Sequence, residues 1–349
     1  MTGIAHPGLA ARTAAWAEEA GWDGMVVVDS QNLSGDPYVA LALAAKETTS
    51  FGLGTGVTNP ATRHPAVTAS SIATVQAESG GRAMLGIGRG DSALAHLGLA
   101  PAPVRVFEDY LRRLQVYLRG EDLELEQPGD DGNGAGLRGV ETLGLAGTPA
   151  TSRIHWLRPE QPKVPVEVAA TGPKVLAAAA RHADRVLVAV GAEPDRVAWA
   201  IETARAAAPD RDLAFGAFVN AVAHPDPDVA RSLATGAMST FTRFSIMHGE
   251  ISGPVDEEQR EVMQSVRQSY DMQLHTRGSS PQAKALTPEF IDRFGAVGRP
   301  EVVVDRLRAL VDLGIERIIA VGPAAPFLRD EAADAARCFA DDVLPAIRG

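Results

Sequence analysis

A closed barrel of eight parallel strands, each followed by a helix, is the fold class predicted by three observations. Apolar, strand-like runs recur at intervals too wide for hairpins, amphipathic helical patterns fill the intervals, and turns rich in glycine and polar residues close one run after another. The 349 residues exceed the roughly 250 of a typical (β/α)8 barrel, and the excess falls in two insertions.

Taken in order, strands are predicted at Met25 to Asp29, Phe51 to Thr55, Arg82 to Ile87, Val164 to Ala169, Arg185 to Val190, Ala214 to Ala221 and Arg317 to Val321. Only Met1 to Ala5 precedes the first helix, so the first strand is expected to be short or incomplete. Helices are predicted at Pro7 to Ala20, Pro37 to Lys46, Pro65 to Ser79, Val104 to Leu118, Lys174 to His182, Asp195 to Ala208, Pro300 to Leu313 and Arg329 to Ile347. Residues 1–349 read as one domain, with a loop insertion over 122–162 and a helical insertion over 236–287 at the barrel mouth. The first carries a glycine-rich tract from Gly129 to Gly139 and Trp156, and is expected to be a long loop. In the second, Phe241, Phe244, Ile246, Met247, Val262, Val266, Tyr270 and Met272 recur at helical spacing, either as a small core or as a surface facing substrate.

Composition narrows the function class. A hydrophobic content of 45% supplies a core, and no apolar run approaches the 18 or so residues of a membrane span. The first residues lack a signal pattern, so a cytoplasmic location is expected. The formal charge of −11 opposes nucleic-acid binding and offers no basic membrane patch. The single cysteine, Cys338, allows no intramolecular disulfide and reads as a packed thiol; nothing in the histidine spacing points to a metal.

The chemistry-bearing signal is Met84-Leu85-Gly86-Ile87-Gly88-Arg89-Gly90-Asp91, an apolar run that turns into alternate glycines and closes on an acid. Glycine lets backbone N–H groups turn toward a phosphate or a flat polar ring. A dinucleotide-binding turn would need a second strand and an acid at its end about 20 residues on. Glu108 has the distance but lies in the helical pattern Val104 to Leu118.

A second glycine turn lies upstream, Gly54-Thr55-Gly56-Val57-Thr58-Asn59-Pro60-Ala61-Thr62-Arg63-His64-Pro65. With Gly21-Trp22-Asp23-Gly24, Val27-Val28-Asp29, Gly98 to Pro103, Ala169-Ala170-Thr171-Gly172-Pro173-Lys174 and the closing unit Phe294 to Gly322, it makes the chain resemble the bacterial-luciferase-like superfamily. Within it the order is similar to the branch that uses the deazaflavin coenzyme F420, typified by methylenetetrahydromethanopterin reductase. The resemblance implies an F420-dependent oxidoreductase acting on a small molecule, with a cis Gly56-Val57 peptide bulging against the back face of the ring. It also implies that Asp29 and Asp91 lie at the ring. Asp91 would exchange the proton that accompanies hydride transfer, or alternatively cap a helix from Ser92. Sugar-oxidising relatives often carry His where Ser30 stands; a hydroxyl relays protons but is a poor base, which argues for reduction.

The expected catalytic set is Asp91, Ser30 and Asp29. The expected cofactor-binding set is Asp29, Gly56, Val57, Thr58, Asn59, Gly88, Arg89, Gly90, Asp91, Thr171, Gly172 and Gly191. Arg63 and Lys174 are either further anion donors or surface charges; His64 reads as structural, and His248 and His275 are placed by the second insertion where they could reach a substrate. FMN with monooxygenase chemistry is the alternative cofactor reading, and a cofactor-binding protein without catalysis is the third. A homodimer is expected.

Overall fold

Proline sets most of the helix starts. The computed structural model describes residues 1–125, 138–323 and 330–348, and among these eight helices carry Pro in the first turn. There its fixed φ is already helical and the missing N–H forfeits no bond. Several of these helices also have a side-chain cap: Asp36 accepts from the N–H groups of Tyr38 and Val39, Asp226 from Asp228, and His64 Nδ1 from Ala66.

In chain order the elements are β1 (Thr2–Gly3), α1 (Ala10–Glu19), β2 (Gly24–Val27), α2 (Pro37–Glu47), β3 (Gly52–Thr55), α3 (Pro65–Glu78), β4 (Ala83–Ile87), α4 (Ser92–Ala95) and α5 (Val104–Leu118). The short pair β5 (Leu123–Glu124) and β6 (Thr151–Ser152) follows, then β7 (Val166–Ala170), α6 (Pro173–His182), β8 (Arg185–Val188), α7 (Pro194–Ala207) and β9 (Ala214–Ala223). The remainder is α8 (Pro227–Ser245), α9 (Glu257–Ser269), α10 (Pro281–Lys284), α11 (Pro288–Phe294), β10 (Ala296–Gly298), α12 (Pro300–Asp312), β11 (Arg317–Val321), α13 (Asp330–Cys338) and α14 (Leu344–Arg348).

The strands pair in parallel in the order β1-β2-β3-β4-β7-β8-β9, with β11 on the other side of β9. Thr2 Oγ1 donates to Ala320 O at 3.4 Å, so β11 comes back to β1 and the eight-stranded barrel is nearly closed. The first strand is present, two residues long, in register with Val26 and Val27. β10 is an addition that three residues could not announce. β9 is ten residues long and outruns β11, leaving Ala221 to Ala223 free to pair with Ala296 to Gly298.

The main core lies between the barrel and its helices. Inside the barrel Val26, Leu187, Ala189, Phe218 and Ile319 fill the lumen. The insertion has its own core of Met238, Ile246, Val262, Met263, Val266, Phe290 and Phe294, built on α8, a helix that already starts at Pro227. One buried cation ties the two together. Arg196 on α7 donates to Val190 O at 2.8 Å, to Ser252 O and Pro254 O at 2.9 Å and to Ser245 Oγ at 3.1 Å. Burial lowers its pKa to about 10, and the carbonyls it satisfies fix the loop after α8 against the end of β8.

In the first insertion the structure has the β5–β6 pair and a 3-10 turn at Val140–Leu143. The glycine tract over 129–137 and the predicted helix start at 329 lie outside the described residues. Cys338 is buried and its thiol is pushed up to about 12 by burial, then by Asp342, consistent with a packed residue. No helix among the described residues is long and apolar enough to cross a membrane.

Candidate active site

A cavity of about 1660 Å³ opens at the carboxyl ends of the barrel strands, where parallel barrels form their sites. A pocket for one small ligand spans roughly 300 to 1,000 Å³, so this one has room for a tricyclic cofactor and a second molecule.

The β3 turn forms one wall. The Gly56-Val57 peptide is cis, as the resemblance implied, and Gly56, Val57 and Asn59 line the cavity. A Cβ on Gly56 would stand 2.4 Å from Val26 Cγ2, so the missing side chain lets this turn pack closely on Val26. Asn59 Oδ1 accepts from the N–H groups of Ala61 and Thr62 and from the Thr62 hydroxyl, which fixes the amide. Its Nδ2 is buried with no partner among the described residues, a donor that the polar edge of a ring would satisfy.

Asp29 ends β2 with its side chain 2% exposed. Oδ2 accepts from Thr58 Oγ1 at 2.6 Å and from Arg63 Nη1, while Arg63 Nη2 donates to Asp36 at 2.8 Å and its guanidinium lies 4.9 Å from the Tyr38 ring. Two expectations change here. Thr58 is fully buried and acts through Asp29 rather than on the cavity, and Arg63 is committed to two carboxylates, neither an anion donor nor a surface charge. Ser30 lines the cavity beside Asp29.

The three alternate glycines of the β4 end serve different ends. Gly86 lies in the strand, where a Cβ would reach Thr55 O at 2.1 Å; Gly88 lines the cavity under Val57; Gly90 has φ of 86°, a left-handed conformation that favours glycine. Arg89 donates Nε to Ala102 O at 2.6 Å and lines the cavity, and burial lowers its pKa, so an anionic group would be well met there. Asp91 precedes α4 but makes no capping bond. Its carboxylate is paired with Arg243 of α8, which removes the helix-cap alternative.

On the opposite side Thr171, Gly172 and Lys174 line the cavity at the start of α6, whose first turn has no acid, and Thr171 Oγ1 donates back to Ala189 O at 3.3 Å. A helix start of this kind favours an anion. Gly191 does not belong with them. It is absent from the cavity wall, and a Cβ there would meet Phe294 at 2.9 Å, so its smallness serves packing against α11.

The insertion aromatics divide between the two roles left open by the sequence. Ile246, Val262 and Val266 are core, whereas Phe241, Phe244, Met247 and Met272 line the cavity with His248 and His275. Phe218, Phe241 and Phe244 step from the lumen to the insertion with centroids 5.9 and 5.5 Å apart. Arg243 went unrecognised in the sequence, because 152 residues separate it from Asp91 and no spacing links them.

The luciferase-like monooxygenase family model matches residues 2–317. The chain is similar to the 5,10-methylenetetrahydromethanopterin reductase of Methanolobus tindarius, 28% identical over 342 residues, with 89% of each chain covered. It is similar also to that of Archaeoglobus fulgidus, 29% identical over 316 residues, covering 89% of this chain and 88% of the relative. Among solved structures, the coenzyme F420 dependent tetrahydromethanopterin reductase of Methanopyrus kandleri superposes with a TM-score of 0.71 at 24% identity, over 99% of this chain and 97% of the other.

Proposed function

The chain belongs to the luciferase-like family, and on that premise we propose that it is an F420-dependent oxidoreductase reducing an activated C=C, C=N or C=O bond of a small molecule. The observation that carries the reading is the Asn59 Nδ2 group, without a partner among the described residues, in a cavity wall that also holds Val57 and Arg89. An apolar face, a buried donor and an unneutralised guanidinium together suit a flat ring with a polar edge and an anionic tail. The coenzyme F420 dependence of the Methanopyrus kandleri reductase favours the deazaflavin over FMN.

In this reading Val57 carries the ring face and Asn59 its polar edge, while Arg89, Lys174 and the start of α6 meet the phosphate and acidic tail. When bound, the reduced deazaflavin supplies hydride. Asp91, held by Arg243, exchanges the ring-side proton; Asp29 and Ser30 shape the neighbouring edge. Ser30, a poor base, supports reduction over sugar oxidation. The exposed Val39 and Leu43 on α2 and Val67 on α3 support pairing of two copies along that side, and we place the chain in the cytoplasm.

A fluorescence-quenching titration tests the cofactor. Oxidised F420 is expected to bind at micromolar concentration or tighter and FMN at least tenfold more weakly, about 1.4 kcal/mol. Equal or tighter binding of FMN would move the reading to a monooxygenase.

A further inference from the structure

The insertion side of the cavity carries polar groups in series. The hydroxyl of Tyr270, just after α9, lies 2.8 Å from His275 Nδ1 and 3.0 Å from Thr240 Oγ1. Over the Tyr270 ring, 4.6 Å from its centroid, lies the Arg243 guanidinium that is paired with Asp91. Thr240 and His275 line the cavity, and Tyr270 stands behind them. With Nδ1 engaged, Nε2 is the nitrogen His275 has left for the cavity, and it has no partner among the described residues.

Asp91 and His96 face His275 from the β4 side, Arg243 from α8 and Tyr270 from its own segment. Burial first, then Arg243 and His96, hold the imidazole below its ordinary pKa against the opposing pull of Asp91, so the ring is neutral near pH 7. A neutral imidazole has one proton. Where the Tyr270 hydroxyl donates to Nδ1, that proton is on Nε2, the nitrogen left for the cavity.

We propose that His275 hands the substrate its proton and that Tyr270 resupplies it, an inference that rests on the reductase reading. The substrate carbon gains hydride from the reduced deazaflavin and the π pair of its C=O or C=N bond moves to the heteroatom. That heteroatom takes the Nε2 proton, and Nδ1 takes the Tyr270 hydroxyl proton. The tyrosinate lies beneath Arg243 and regains a proton from solvent entering the cavity that Thr240 lines. Burial raises the Tyr270 pKa, yet an alkoxide or amide anion is a far stronger base than tyrosinate, so the transfer runs downhill. His275 is the catalytic group, and Tyr270 acts through it.

The first measurement needs neither cofactor nor turnover. In protein labelled with 15N-histidine, the resonances lost in His275→Gln identify this ring. At neutral pH the parent should hold the Nε2–H tautomer, and Tyr270→Phe should displace the Nδ1 resonance. With F420, both variants should keep the parental dissociation constant within about twofold. Oxidation of reduced F420 by a panel of activated ketones and imines should show kcat down about 10²-fold in His275→Gln and about tenfold in Tyr270→Phe, with KM little changed. An Nδ1–H tautomer in the parent, or parental kcat in His275→Gln, overturns the relay alone. A parent chain that binds no F420 overturns the reductase reading, and the relay loses its reductant with it.

Discussion

Asp29 and Asp91 both stand at the ends of barrel strands and both face an arginine. Arg63 comes from the next turn of the barrel, 34 residues away, whereas Arg243 comes from the insertion, 152 residues away. In the first pair the carboxylate is buried, 2% exposed, against an arginine 17% exposed, and Thr58 and Asp36 complete the bonds. In the second the arginine is equally shielded, 14% exposed, but the carboxylate is 16% exposed; both acids border the cavity. One half of the mouth is therefore tied together within the barrel's own turns. The other joins the barrel to the insertion, whose side chains line the cavity. The difference lies in the carboxylates, Asp29 withdrawn from water and Asp91 open to it.

The sharpest break comes from removing the cation of the buried pair. Arg63→Met leaves the Asp29 carboxylate uncompensated out of water, and a loss of about 3 kcal/mol in unfolding free energy is expected, the lower end for a broken buried pair. Urea unfolding measures it. A loss below about 1 kcal/mol would mean that the carboxylate is solvated or protonated after Arg63 is gone.

Asp91→Asn sharpens the other side. If the carboxylate exchanges the ring-side proton, turnover should fall by about 10² with cofactor affinity changed far less. Since Asp91 caps no helix, the melting temperature should hardly move. Turnover near that of the parent would take Asp91 out of proton handling and leave it as an anchor for Arg243.

The smallest expected effect is on stability in Arg243→Met. A partly exposed ion pair contributes about 1 kcal/mol or less, and the thioether keeps apolar contact with Phe244 and Tyr270. Calorimetry that found the two arginine variants equally destabilised would erase the distinction between the halves.

The strand and helix order was legible because parallel βα units repeat two periods, and Pro at helix starts marks the boundaries. Val104 to Leu118 matches the predicted helix residue for residue. The glycine turns were legible as turns, but their purposes were not. Gly86, Gly56 and Gly191 look alike along the chain, yet each lacks a Cβ for the sake of a different neighbour: Thr55 O, Val26 and Phe294.

By itself the sequence determined the parallel barrel, the strand ends that form its mouth and the acids Asp29 and Asp91 placed there. These follow from local periodicity and chain connectivity. Tertiary structure alone decided which acid meets which arginine, which insertion aromatics line the cavity rather than the core, and that Tyr270, His275 and Thr240 stand in series beside it. Such pairings depend on how the insertion folds back over the barrel, secured by Arg196 to the end of β8. A contact made across 152 residues leaves no period in the chain to read.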